Sequence, residues 1–188
     1  MVSLEELRGR DEPYWTTVAV LTAGLVETAM GRHDAALGHL REARALAGRF
    51  DHAGLSAWSQ VQLGILALVR GRIEEARALL GEGLELSLAT RSTRNVTLCL
   101  TAFAQLAFVE GDGERAALLA GAAEGLRRRV GLRALMLLRQ GEAELIAQIR
   151  QALGADRFEE VFAAGARLTQ QEAVDVVRDR RGAGAAAS

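Results

Sequence analysis

Along most of the chain, apolar residues recur at intervals of three and four, and no stretch alternates apolar with polar as a half-buried strand would. This period predicts helices throughout and no sheet. The breaks in it predict three antiparallel pairs: 13–30 with 33–48, 51–70 with 73–88, and 92–110 with 113–129. Pro13 suits the first turn of the opening helix. Gly48 and Asp51 read as a C-terminal cap and the following N-cap. Glu74, Glu75, Asp112 and Glu114 fall in first turns, where they complement the helix dipole. Beyond residue 129 the pattern predicts a longer helix over 133–153, ending at Gly154. A short amphipathic helix over 156–165 follows, with Phe158, Val161 and Phe162 on one side. Thr169-Gln170-Gln171-Glu172 is a capping box opening a last helix, Ala173 to Arg178.

The pairs form an internal repeat. Gly31, Gly71 and Gly111 stand 40 residues apart, each between two apolar helical runs. Ala36, Ala76 and Ala116 recur five residues after the glycine. Leu40, Leu80 and Ala120 follow at nine, Ala43, Gly83 and Ala123 at twelve, and Leu46, Leu86 and Leu126 at fifteen. Gly24, Gly64 and Ala104 stand seven residues before it. A glycine closing the first helix and small residues at the crossing describe a helix pair whose backbones approach closely. Neither helix buries its apolar stripe alone, so the expected architecture is all-α: an antiparallel helix-pair solenoid with C-terminal capping helices. The chain divides into a lead-in over 1–12, three pairs over 13–129, capping helices over 130–178 and a disordered tail over 179–188.

The columns Gly24/Gly64, Gly31/Gly71/Gly111, Ala36/Ala76/Ala116 and Ala43/Ala123 resemble the tetratricopeptide (TPR) pattern, with a period longer than the usual ~34 residues. Two segments resemble the C-terminal regions of actinobacterial LuxR-type and cyclase-like regulatory ATPases. One is Gly111-Asp112-Gly113-Glu114-Arg115-Ala116-Ala117-Leu118 continuing through Leu126; the other runs from Leu153-Gly154-Ala155-Asp156-Arg157-Phe158 to Val174. In that family an ATP-hydrolysing switch domain precedes a helical-repeat region, and a DNA-binding helix-turn-helix can follow. The resemblance therefore implies a non-catalytic interaction or sensor module in transcription regulation and signal transduction. This sequence departs from the pattern in lacking both of those domains, and Gly131 to Gln140 replaces a Pro-rich link. It reads as a fragment of such a regulator or as a stand-alone relative.

Composition narrows the chemistry. The 23 basic residues are all arginine, and the formal net charge is −1. Exclusive use of arginine, with abundant alanine and glycine, points to a GC-rich genome such as an actinobacterial one. Without lysine there is no P-loop, Schiff base or Ser-Lys dyad. Gly81-Glu82-Gly83 and Gly111-Asp112-Gly113 follow no strand and make no nucleotide loop. His33 and His39 are six apart and face different sides of their helix; His33 and His52 read as solvent-facing, and no metal site is expected. The adjacent acids Glu74-Glu75 and Glu159-Glu160 diverge on their helices and read as solvated charges. Arg127-Arg128-Arg129 lies at a helix C-terminus, offset by Glu124, and reads as structural. Cys99, the only cysteine, sits in an apolar run and reads as a buried thiol, and Asn95-Val96-Thr97 as a chance sequon. Charged residues from Glu5 to Asp11 argue against a signal peptide, so a cytoplasmic protein is expected, with no membrane span and no cofactor.

One surface remains. In a TPR-like stack the first helix of each pair lines a concave face. Counting back from the turn glycines places Val18, Leu21 and Leu25 there. The second pair adds Trp58, Val61, Ile65 and Leu68, and the third Leu98, Thr101, Gln105 and Phe108. That face is too apolar to stand open to water. It receives a helix or peptide of a partner, or another domain of a parent regulator, or the chain's own C-terminal helices, or it is plain core packing. Self-association is a further option; direct binding of nucleic acid is not expected. The segment 156–178 is expected to dock on the repeats through Phe158, Val161, Phe162 and Val174, because so short a helix does not persist alone in water.

Overall fold

The computed structural model describes residues 13–133 and 139–179. The lead-in 1–12, the first part of the helix expected over 133–153, and the tail beyond Asp179 lie outside the described residues. Nine helices are described, with no strand among the described residues: α1 Pro13–Ala29, α2 His33–Arg49, α3 Ala53–Val69, α4 Ile73–Ala89, α5 Thr93–Val109, α6 Gly113–Arg129, α7 Arg139–Leu153, α8 Ala155–Arg167 and α9 Gln170–Arg178. The fold is all-α and TPR-like, built from consecutive helix pairs. The chain forms two compact units, residues 1–95 and 96–188.

The first six helices are each 17 residues long. A three-residue turn separates each from the next, so the structural rhythm is 20 residues and the 40-residue sequence period is two of these. Every turn contains a residue in the left-handed region: Gly31 at φ 73°, Asp51 at 56°, Gly71 at 72°, Arg91 at 52°, Gly111 at 84° and Gly131 at 65°. The amide after each one bonds back across the helix end, as in Arg32 N to the Glu27 carbonyl, His52 N to Ala47 and Ser92 N to Ser87. This is the Schellman arrangement. It corrects the expected caps between the first two pairs. Gly48 lies inside α2, Asp51 is the left-handed residue, and the N-cap position belongs to His52, which makes no side-chain cap bond. A left-handed non-glycine costs roughly 1–2 kcal/mol, which the recovered carbonyl bonds offset. Asp112, expected within a first turn, is instead the N-cap of α6 and accepts the Arg115 amide at 3.0 Å.

In the first unit α1 packs on α2, α2 on α3 and α3 on α4, with α1 also touching α3. The alanine column lies at the centre of the pairs: Ala36 and Ala76 here, and Ala116 in the second unit, have no exposed surface. Gly24 faces Leu40 and Gly64 faces Leu80; a Cβ on either glycine would stand 2.7 Å from the leucine Cδ2. The third pair changes both positions together, to Ala104 and Ala120, both buried. A large-against-none packing is thus exchanged for small-against-small, with two fewer side-chain carbons and no leucine for the Ala104 Cβ to meet. Of the fifteenth-position column, Leu126 is buried, Leu46 is half-buried and Leu86 is exposed.

In the second unit α6 is the hub, and α7, α8 and α9 all pack on it. Phe158 is fully buried in a cluster with Ala107, Ala116, Ala117 and Ile149, against which Phe108, Val161 and Phe162 also pack. The C-terminal segment therefore docks on the third pair, as its stripe predicts, and Val174 of α9 is buried as well. Helix α8 runs parallel to α6: Arg157 meets Glu114 at 2.7 Å, the Phe162 carbonyl meets Gly121, the Ala166 carbonyl meets Gly125, and Arg129 reaches the carbonyls of Ala166 and Leu168. Backbone touches backbone here because three glycines, 121, 125 and 165, remove the side chains from the crossing. The corresponding positions of the earlier pairs, Arg41 and Ala45, then Gly81 and Glu85, are not buried.

Helix α9 begins at Gln170 rather than the expected Ala173, because the capping box makes Thr169 itself the N-cap. The Glu172 carboxylate accepts the Thr169 amide at 2.8 Å and its hydroxyl at 2.8 Å. These bonds, the amide's first, hold the Glu172 carboxyl below the usual glutamate range. The Arg157 guanidinium does the same to Glu114. Both folded values are depressed, so the stabilisation is complete above the unfolded carboxyl pKa and is lost as pH falls through the folded value. An NMR titration should give a Glu172 midpoint below that of an unstructured glutamate. The α9 amides should lose exchange protection in the same pH range. A midpoint at the ordinary glutamate value contradicts the cap.

Candidate protein-interaction surface

The first-helix residues separate by burial. In the first unit Leu21 and Val61 have no exposed surface, and Leu25 and Leu68 are 6 % exposed; these are core. Their neighbours Val18, Trp58 and Ile65 remain half-buried. Helix α3 is apolar nearly all round, so its buried positions extend past a single stripe and absorb part of the expected face. What stays open on α3 is the line of Trp58 and Ile65, two helical turns apart. Trp58 Nε1 and Gln62 Nε2, one turn apart on this side, are buried donors without an acceptor among the described residues. In the second unit Leu98 is buried, and Thr101, Gln105 and Phe108 are half-buried along α5. Phe108 packs against the cluster around Phe158, so the chain's own C-terminal helices cover part of that residue.

The charged residues singled out in the sequence are mostly engaged with each other. Glu74 meets Arg77 at 3.5 Å and Glu75 meets Arg72 at 3.1 Å. Glu160 meets Arg157 at 2.8 Å, and Glu159 pairs with Arg150. The arginine run is divided among three roles. Arg127 is 8 % exposed and grips both carboxylate oxygens of Glu142 on α7, at 2.8 and 2.9 Å. Arg128 stays outside near Glu124. Arg129 donates to the last carbonyls of α8 at 2.9 and 2.5 Å. Two of the three thus fasten the C-terminal helices to α6, so the structural reading of the run is the one the geometry supports.

The histidines are half-buried rather than solvent-facing, and His52 stands edge-on to Tyr14 with ring centroids 5.5 Å apart. Among the described residues no three His, Cys, Asp or Glu side chains stand close enough to hold a metal ion. Cys99 is fully buried. Asn95 is 4 % exposed and donates to the Gly54 carbonyl at 2.9 Å, which closes the sequon to modification. No described helix is long and apolar enough to cross a membrane.

Residues 16–89 match the tetratricopeptide repeat family. The match runs from the first turn of α1 to the last residue of α4 and takes in both helix pairs of the first unit. That stretch is a TPR-like helical-repeat region. The third pair lies outside the match yet keeps the helix length, the left-handed turns and the alanine column. No curated protein and no solved structure matches the chain.

Proposed function

We propose that the chain is a non-catalytic protein-interaction and sensor module, the TPR-like region of a LuxR-type transcriptional regulator or a related signal-transduction ATPase in an actinobacterial cytoplasm. The observation that carries the interaction role is the TPR match over residues 16–89 together with the open line of Trp58 and Ile65 on α3. Repeats of this kind serve protein–protein contacts, and an amphipathic partner helix or an extended peptide is the occupant such a line accommodates. The partner is a protein, a peptide or another domain of the parent regulator, with self-association through the same line as a variant of it. Formal net charge −1 gives no general attraction to nucleic acid or an anionic membrane. Support for the regulator comes from the segments Gly111–Leu126 and Leu153–Val174.

A second reading is a stand-alone adaptor for a peptide or partner helix. One feature favours it: α7, α8 and α9 already bury the face of α6 with Phe158 and Val174, so no further domain is needed to cover that helix. The upstream reading frame separates the two. A nucleotide-binding domain encoded in frame before Met1 supports the regulator. A frame without one leaves the adaptor.

A further inference from the structure

The first unit carries a second feature, on the other helices of its pairs. Between α2 and α4, above the C-terminal half of α3, lies a cleft of about 130 Å³. Its floor is apolar, formed by Leu63, Leu66 and Ala67, and Leu37 and Leu79 close its sides. Four arginines line its rim: Arg41 and Arg44 from α2, Arg70 at the end of α3, and Arg72 in the following turn. Among the described residues, two carboxylates answer them. Asp34, 93 % exposed, meets Arg70 Nη2 at 3.1 Å, and Glu75 meets Arg72 at 3.1 Å in an exposed pair. Arg41 and Arg44 have no carboxylate partner among the described residues. Arg70 Nη1 is buried without an acceptor.

This concentration of positive charge is local. The chain as a whole carries −1. Nor does the repeat impose it: one period later the positions of Arg41, Arg44, Arg70 and Arg72 hold Gly81, Leu84, Glu110 and Asp112. The size of the cleft limits its occupant. It falls well below the roughly 300–1,000 Å³ of a small-molecule pocket and has room for about one side chain. An apolar floor with a guanidinium rim suits an aliphatic side chain flanked by carboxylates, which arginine grips in planar, forked geometry.

We propose that this cleft docks an acidic peptide segment of a partner protein, with one leucine-sized side chain on the floor and aspartate or glutamate residues on Arg41, Arg44 and Arg70. The site lies on the second helices of the pairs and is separate from the line on α3, so its failure leaves that interaction untouched.

The test is fluorescence anisotropy with the full chain and a labelled peptide of aspartate and glutamate residues around a central leucine. Saturable binding at low ionic strength is expected. The double variant Arg41→Glu/Arg44→Glu should weaken it about tenfold or more, because it reverses two rim charges. Both residues are exposed, so the circular dichroism of the variant should match the parent. Arg128→Glu, a single charge reversal on α6 away from the cleft, should leave binding unchanged, whereas Arg41→Glu alone should weaken it. Replacing the central leucine by glycine should weaken binding, and inorganic phosphate should compete only poorly. The proposal is overturned by the absence of saturable binding, by indifference to the double variant, or by equal binding of the glycine peptide. Tighter binding of phosphate or of a single-stranded oligonucleotide than of the peptide also overturns it.

Discussion

Replacing Gly165 by alanine should undock α8 from α6. A Cβ at this position would lie 2.0 Å from the carbonyl oxygen of Leu118 and 2.9 Å from its carbon. Both are backbone atoms of a packed helix and have no rotamer to change. The two axes must separate, and separation draws Phe158 out of the cluster with Ile149, Ala107 and Ala117. Overpacking of this kind costs about 1–3 kcal/mol where neighbours can adjust, and here they cannot, so a loss at or above that upper figure is expected. Gly121→Ala and Gly125→Ala should behave alike, since their Cβ atoms would lie 2.1 Å from the carbonyls of Phe162 and Ala166. Gly141→Ala is the internal contrast. It lies within α7 with no atom in the way of a Cβ, and alanine there should stabilise by about 0.5–1 kcal/mol. Urea denaturation of the four variants, with dye binding to report the uncovered surface, gives the comparison. Melting of Gly165→Ala with the parent, or a loss in Gly141→Ala as large as in Gly165→Ala, contradicts the crossing.

Ala76→Trp should abolish cooperative folding of the first unit. Ala76 has no exposed surface and faces inward from α4 with Leu80, Gly83 and Leu84. The neighbouring contacts are already tight: Leu80 lies against Gly64, and a Cβ on Gly83 would meet Val61 at 2.8 Å. An indole has nowhere to go except by forcing α3 and α4 apart. Ala78→Trp, two residues along on the exposed side of α4, is the control and should melt close to the parent. Circular dichroism melting of both variants checks the prediction. If Ala76→Trp melts cooperatively near the parent, the assigned register of the repeat is wrong.

The helix ends of the first six helices were legible in the sequence to within two residues, because the apolar period and the turn glycines report the same local physics. The alanine column and the Phe158–Phe162 stripe were legible for the same reason: both are spacing on a single helix. Asp51 and Arg91 were not legible as left-handed residues: aspartate tolerates that conformation without requiring it and arginine does not favour it, so the carbonyl bonds of the turn impose it. Gly121, Gly125 and Gly165 stood in view, but their meaning depends on a helix more than 40 residues away, to which the repeat gives no register. Arg127 likewise becomes a buried anchor only once Glu142 is brought to it. The candidate face was legible as apolar but not as divided. Spacing places Val61 and Ile65 on one side of α3, and only packing determines that Val61 is sealed while Ile65 stays half open.

Site-specific photo-crosslinking tests the interaction role most directly. A photoreactive residue replaces Ile65 in one variant and Ala78 in another, each expressed in the organism of origin. The account predicts a discrete adduct from position 65 and none of that mass from position 78. The protein it identifies should bind the purified chain, and Ile65→Arg should abolish that binding without changing the circular dichroism. An identical adduct from both positions, or a partner whose binding survives Ile65→Arg, contradicts the assignment of this line as the interaction surface.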